Sequence, residues 1–153
     1  MCLEKIYKIY DKYSKYDYVE DDLSKHHIKN AFEFDKDKYG ICWDFMRAMS
    51  LSLHKASYIH HCYFTEVQKD NKMIASHTYI IVRDFQFNYW IECAWQKHKG
   101  VNFVFSYKDV ERLLKEEYDA DETHTVVYSP TKTERMTADE FFKYLNKEGI
   151  ELP

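Results

Sequence analysis

The chain has 153 residues, 45% hydrophobic and 18% aromatic, with 3 glycines and 2 prolines. That suits one packed domain, here taken as residues 1–153, and excludes a disordered chain or a disulfide-stapled miniprotein. The formal net charge is −4 with acids and bases interspersed, so no basic stripe points to nucleic acid, and no apolar run is long enough to span a membrane.

The start, "MCLEKIYKIYDKYSKY", lacks a leader-like apolar segment, so a cytoplasmic protein is expected. Leu3, Ile6, Tyr7, Tyr10 and Tyr13 recur at three- and four-residue steps and predict the apolar face of a leading helix, within a helical segment over 1–35. A short helix is expected around Ser24–Phe32. "DKDKYG" at 35–40 glances at a calcium loop, but Tyr39 and Met46 stand at its fifth and twelfth positions, where ligands are needed. It reads as a solvated turn.

From Cys42 to about Leu53 the period is helical. Phe45, Met49 and Leu53 share a face with Ala48, which predicts a central helix. Ser57–Val67 and Met73–Arg83 are rich in β-branched and aromatic residues, with a turn at 70–72. "DFQFN" at 84–88 closes a second hairpin, and Tyr89–Trp95 returns. Ser106 and Asp109 form a capping box for another helix, and residues 124–129 read as a strand. Thr137 and Glu140 cap a last helix, which Gly149 stops. The fold class is therefore α+β, a Cys-bearing central helix packed on a mainly antiparallel sheet.

The four cysteines form no C-x-x-C pair, and free thiols are the expectation in a reducing compartment. Cys42 stands apart because it opens a helix. A thiol there faces unpaired backbone N–H groups and the positive end of the dipole, both of which favour thiolate. His77 lies in the strand after the 70–72 turn and Glu92 in the strand after that. They are 15 residues apart, with the turn near 84–88 between them, so pairing of the strands sets them opposite or diagonal. An imidazole takes and returns a proton, and a carboxylate on its far nitrogen fixes the tautomer.

These residues resemble motifs of the transglutaminase-like superfamily, a branch of the papain-like thiol fold. The resemblance rests on Gly40, Cys42 and Asp44 in "GICWDF", His77 and Tyr79 in "SHTYIIV", and Trp90, Glu92 and Trp95 in "YWIECAW", and covers about 40–95. The sequence departs from the pattern at Glu92, where the family usually has aspartate, and at Tyr79, often a tryptophan. The resemblance implies a Cys42–His77–Glu92 triad and amide hydrolysis or acyl transfer through a thioester, on a peptide, protein or small amide substrate. Hydrolysis is slightly preferred, because no second-substrate site is evident. The alternative is a catalytically inactive binding or assembly module on the same fold.

Each residue also has a plainer reading. Cys42 alone suits a buried core thiol, and His77 or Glu92 alone an ordinary strand residue. Asp84 is a rival acid, placed in the turn. Asp44 fits a capping role at the dipole. Trp43, Tyr79 and Trp90 are candidate cleft lining, with Trp43, Trp90 and Trp95 also suiting the core. Cys62 and Cys93 read as core positions. His26–His27 and His60–His61 lack zinc spacing, and strand neighbours point to opposite faces, so neither a metal nor another cofactor is expected.

Overall fold

In the computed structural model, residues 3–20 and 22–153 are described; Cys2, counted above with the free thiols, lies outside them. Helix α1 spans Leu3–Ser14 and buries Ile6 and Tyr13. Tyr7 was expected on that stripe but is exposed. The core side runs instead through Leu3, Ile6, Ile9, Tyr10 and Tyr13. Strand β1 is the pair Asp17–Tyr18.

Helix α2 covers Ala31–Asp37, not the Ser24–Phe32 stretch that composition suggested. The reason is local. Asn30 accepts the Glu33 N–H and Glu33 accepts the Asn30 N–H, which fixes the helix start. Upstream, Asp22 Oδ1 accepts both the N–H and the hydroxyl of Ser24 in an Asx turn. The stretch read as a solvated turn at 35–40 is also more ordered than expected. It ends α2, leaves it through Lys38 at φ 60, and forms strand β2 at Tyr39–Gly40, which pairs in parallel with β1.

Helix α3 runs Cys42–Lys55 and is buried around much of its circumference, including Phe45, Met46, Ala48, Met49 and Leu53. Strands β3 (Ile59–Lys69) and β4 (Lys72–Asp84) form a long hairpin. Its turn is Asp70–Asn71, both at positive φ (54 and 64), the backbone a two-residue hairpin needs. Strand β5 is Phe87–Glu92. It stops short of Trp95, where a continuing strand was expected, because the chain folds back and Gln96–His98 forms a 3₁₀ turn. Strand β6 (Gly100–Val104) was not recognised in the sequence.

Helix α4 (Tyr107–Glu117) has the Ser106–Asp109 box, strand β7 is Glu122–Tyr128, and helix α5 (Ala138–Glu148) has the Thr137–Glu140 box. At Gly149 the chain is extended, not left-handed. A Cβ there would lie 2.5 Å from the Leu145 carbonyl oxygen, so close approach demands glycine. Strand β8 is Ile150–Glu151.

The sheet order is β6-β5-β4-β3-β7-β8, antiparallel throughout. The fold is thus α+β, as expected. Cys62, Phe64, Ile80, Val82, Ile91 and Cys93 pack with Phe45, Met49 and Leu53 of α3 and Phe141 of α5. The other face, with Val67, Tyr79, Ile81 and Trp90, packs on Val110 and Leu114 of α4. The alternation is that of strands covered on both sides. Among the described residues no helix is long and apolar enough to cross a membrane.

Candidate active site

The site is built where the start of α3 meets the middle of β4. The β4–β5 ladder runs from Ile80↔Ile91 to Asp84↔Phe87. Extending that register sets Glu92 level with Tyr79, so His77 and Glu92 are diagonal neighbours. Because β5 ends at Glu92, β4 has no β5 partner beside His77. There the imidazole meets Cys42, the first residue of α3.

Glu92 is held from four sides. His77 Nε2–H donates to Oε1 at 2.6 Å and Trp90 Nε1–H at 3.2 Å. The N–H groups of Ala94 and Trp95 donate to Oε2, each at 2.9 Å. This wrapping explains why β5 ends where it does: the two backbone groups bind the carboxylate instead of a ladder partner. Burial works against a charged Glu92, but the His77 cation and these hydrogen bonds hold its carboxyl below the usual range.

For His77, burial also opposes the charge. The Glu92 carboxylate and a hydrogen-bonding interaction with the Cys42 thiol outweigh it, and the ring is pushed up to about 10. Nε2 belongs to Glu92, which leaves Nδ1 as the nitrogen available to the thiol. The ring stacks on Tyr79 (5.9 Å, 18°) and meets Trp95 edge-on (5.6 Å, 72°), so its plane is set. Its NMR signals are therefore expected to keep the imidazolium pattern from about pH 5.5 to 8.5, through the region near 6.5 where a free imidazole titrates. A midpoint near 6.5 would contradict the ion pair.

Gly40 and Asp44 form the other half of the construction. Asp44 is fully buried. It accepts from the Ile41 N–H (2.9 Å), the Lys29 N–H (2.8 Å) and His26 Nε2–H (3.1 Å). It therefore does more than cap α3: it ties the loop before α2 to the helix start that carries Cys42. A Cβ on Gly40 would lie 2.6 Å from Asp44 Oδ2 and 2.8 Å from its Cβ. Gly40→Ala is expected to destabilise the fold by about 1–3 kcal/mol. A lowered urea midpoint measures it; an unchanged midpoint would show that Asp44 yields at no cost.

Cys42 is half-buried, whereas Cys62 and Cys93 are buried. It lines a cavity of about 270 Å³ with Tyr18, Glu20, Leu23, Ile41, Trp43 and Ser76. Trp43 thus faces this space, although most of its ring is packed on Phe141. Tyr79 and Trp90 differ from the expected cleft lining. Both are fully buried, one stacked on His77 with its hydroxyl on Thr65, the other under Glu92; they support the imidazole and carboxylate from behind. Tyr18, Glu20 and Leu23 were not foreseen, since residues 17–25 carry no periodic pattern. Burial first, and the neighbouring Cys42 and Glu20, push the Tyr18 hydroxyl up to about 12, so it stays neutral.

The remaining candidates lie elsewhere. Asp84 ends β4, seven residues from His77, or roughly 23 Å along a strand, so it is not the partner acid. His60 is engaged by Ser50 (2.8 Å) and the Tyr58 carbonyl (3.0 Å). Among the described residues no group of three or more His, Cys, Asp or Glu is arranged to hold a metal.

No family model matches the chain, and no curated protein matches it. Among solved structures it is similar to Legionella pneumophila LapG, at 12% identity and a TM-score of 0.54, over 94% of this chain and 73% of that one. The likeness is one of fold, with Cys42 at the start of a helix that packs on the sheet.

Proposed function

We propose that this chain is a thiol-dependent amide hydrolase of transglutaminase-like fold, acting on a peptide or protein. The observation that carries the reading is the His77–Glu92 bond beside the helix start that bears Cys42. The ring is fixed by a 2.6 Å bond to a fully satisfied carboxylate, and the half-buried thiol opens on a cavity. The LapG-like fold agrees with a cysteine protease. Residues from 18 to 92 contribute to one site, in keeping with one domain.

In the reaction, the Cys42 sulfur, as thiolate, attacks the amide carbonyl carbon. The first N–H groups of α3, which no helical carbonyl can reach, face the oxygen as it gains charge. His77, protonated, gives its proton to the departing nitrogen as the C–N bond breaks, leaving a thioester. Neutral His77 then takes a proton from water, whose oxygen attacks the thioester. The C–S bond breaks, the acid leaves and Cys42 is restored as thiolate beside an imidazolium. Glu92 keeps the ring in the orientation and protonation state that both transfers need.

The test is a mixture of peptides incubated with the protein and with Cys42→Ala, read by mass spectrometry for new amide-hydrolysis products. Products formed by the wild-type chain and absent with Cys42→Ala support the reading. Products that persist in the variant, or a wild-type chain that cleaves nothing, count against it.

A further inference from the structure

Resting on the thiol-hydrolase reading, the geometry points to a substrate with a lysine or arginine side chain beside the reacting amide, held in the cavity next to Cys42 with its cation at Glu20. Three observations support this. The first is size. At about 270 Å³ the cavity falls below the range of drug-sized ligand pockets and suits a single side chain.

The second is chemistry. Tyr18, Leu23, Ile41 and Trp43 supply an apolar and aromatic wall, and Glu20 is the one charged side chain among the described residues that line it. Lysine and arginine lay their aliphatic stems on such a wall and keep the cation at its wet end. The rings of Tyr18 and Trp43 favour a cation, and Glu20 supplies the opposite charge. Glu20 is exposed, and no ion pair among the described residues involves it. The imidazolium of His77 does not oppose a second cation, because Glu92 neutralises it.

The third is that the wall is built in. Asp17 N–H donates to the Lys38 carbonyl and Val19 N–H to the Gly40 carbonyl, both at 3.0 Å. These bonds bracket Tyr18 and set it beside Gly40, two residues before the nucleophile. The Asx turn at Asp22 closes the segment on its far side. An uncharged polar side chain in the cavity leaves Glu20 unanswered, and an acidic one is repelled.

The experiment measures alkylation of Cys42 in the folded protein by lysyl, norleucyl and glutamyl chloromethyl ketones, which needs no turnover. Norleucine has lysine's stem without its ammonium. At low ionic strength the lysyl reagent is expected to react about fivefold faster than the norleucyl one, the effect of one exposed ion pair. That ratio falls toward one in about 0.5 M salt and in Glu20→Gln, and Glu20→Lys turns the preference toward the glutamyl reagent. Equal lysyl and norleucyl rates in the wild-type chain overturn the inference, as does a lysyl preference that survives Glu20→Gln. If all three reagents alkylate Cys42 without this ranking, only the inference fails. If none alkylates Cys42 until the protein is denatured, the thiol-hydrolase reading fails and the inference with it.

Discussion

Iodoacetamide will alkylate Cys42 in the folded protein well ahead of Cys62 and Cys93. Burial pushes both of the latter thiols up to about 12; Ser50 partly offsets this at Cys62, and the Glu92 charge adds to it at Cys93. With such a value only about one molecule in 10⁵ is a thiolate at neutral pH, and thiolate is the reacting species. Cys42 instead opens on a cavity and has a cationic ring beside it. The rates should differ by at least roughly a hundredfold, read from the tryptic peptides by mass. His77→Ala should slow the labelling of Cys42, because the ring beside the sulfur is gone. Simultaneous labelling of the three cysteines, or a Cys42 rate indifferent to His77, would remove Cys42 from the role of nucleophile.

The parts of this site that were legible in the sequence are those set by short-range rules. The α4 and α5 starts follow from Ser106–Asp109 and Thr137–Glu140, because a cap needs only residues three apart. The spacing of His77 and Glu92 follows from one hairpin, since a single turn sets the register of both strands. The same rule at Asn30–Glu33 starts α2 later than the Ser24–Phe32 composition suggests. Other parts had no local signal. Strand β6 is five residues, Gly100–Val104, flanked by a 3₁₀ turn and a helix cap, too short for alternation to show. The wall formed by Tyr18 and its neighbours Glu20 and Leu23 depends on a two-residue parallel pairing across more than twenty residues of chain. Asp44 looked like a cap because its helix position demands one. Its bonds to Lys29 and His26 belong to the tertiary structure. Glycine at position 40 has a steric cause in this fold: the buried Asp44 carboxylate occupies the space that a Cβ would need.

Glu92→Ala is expected to cost about 3–5 kcal/mol, the usual loss when one partner of a buried ion pair is removed. The substitution strands the Trp90 Nε1–H and the Ala94 and Trp95 N–H groups as well as His77, and each buried donor left unpaired adds to the loss. The ring limits the damage by giving up its proton, so the cost should shrink at alkaline pH. The sign follows from the two partners. The His77 value is raised from 6.5 to about 10, so its contribution is complete below 6.5 and disappears as pH rises through about 10. The Glu92 value is lowered from 4.5, so its contribution is complete above 4.5 and disappears as pH falls through the depressed value. The difference in stability between the wild-type chain and Glu92→Ala should therefore peak between about pH 4.5 and 6.5 and decline on either side. Urea midpoints across that range measure it. A double-mutant cycle with His77→Ala should give a coupling of about 1–3 kcal/mol in the same window. A flat difference across pH, or no coupling, would mean that the two groups are not an ion pair. Glu92 would then have no hold on the imidazole.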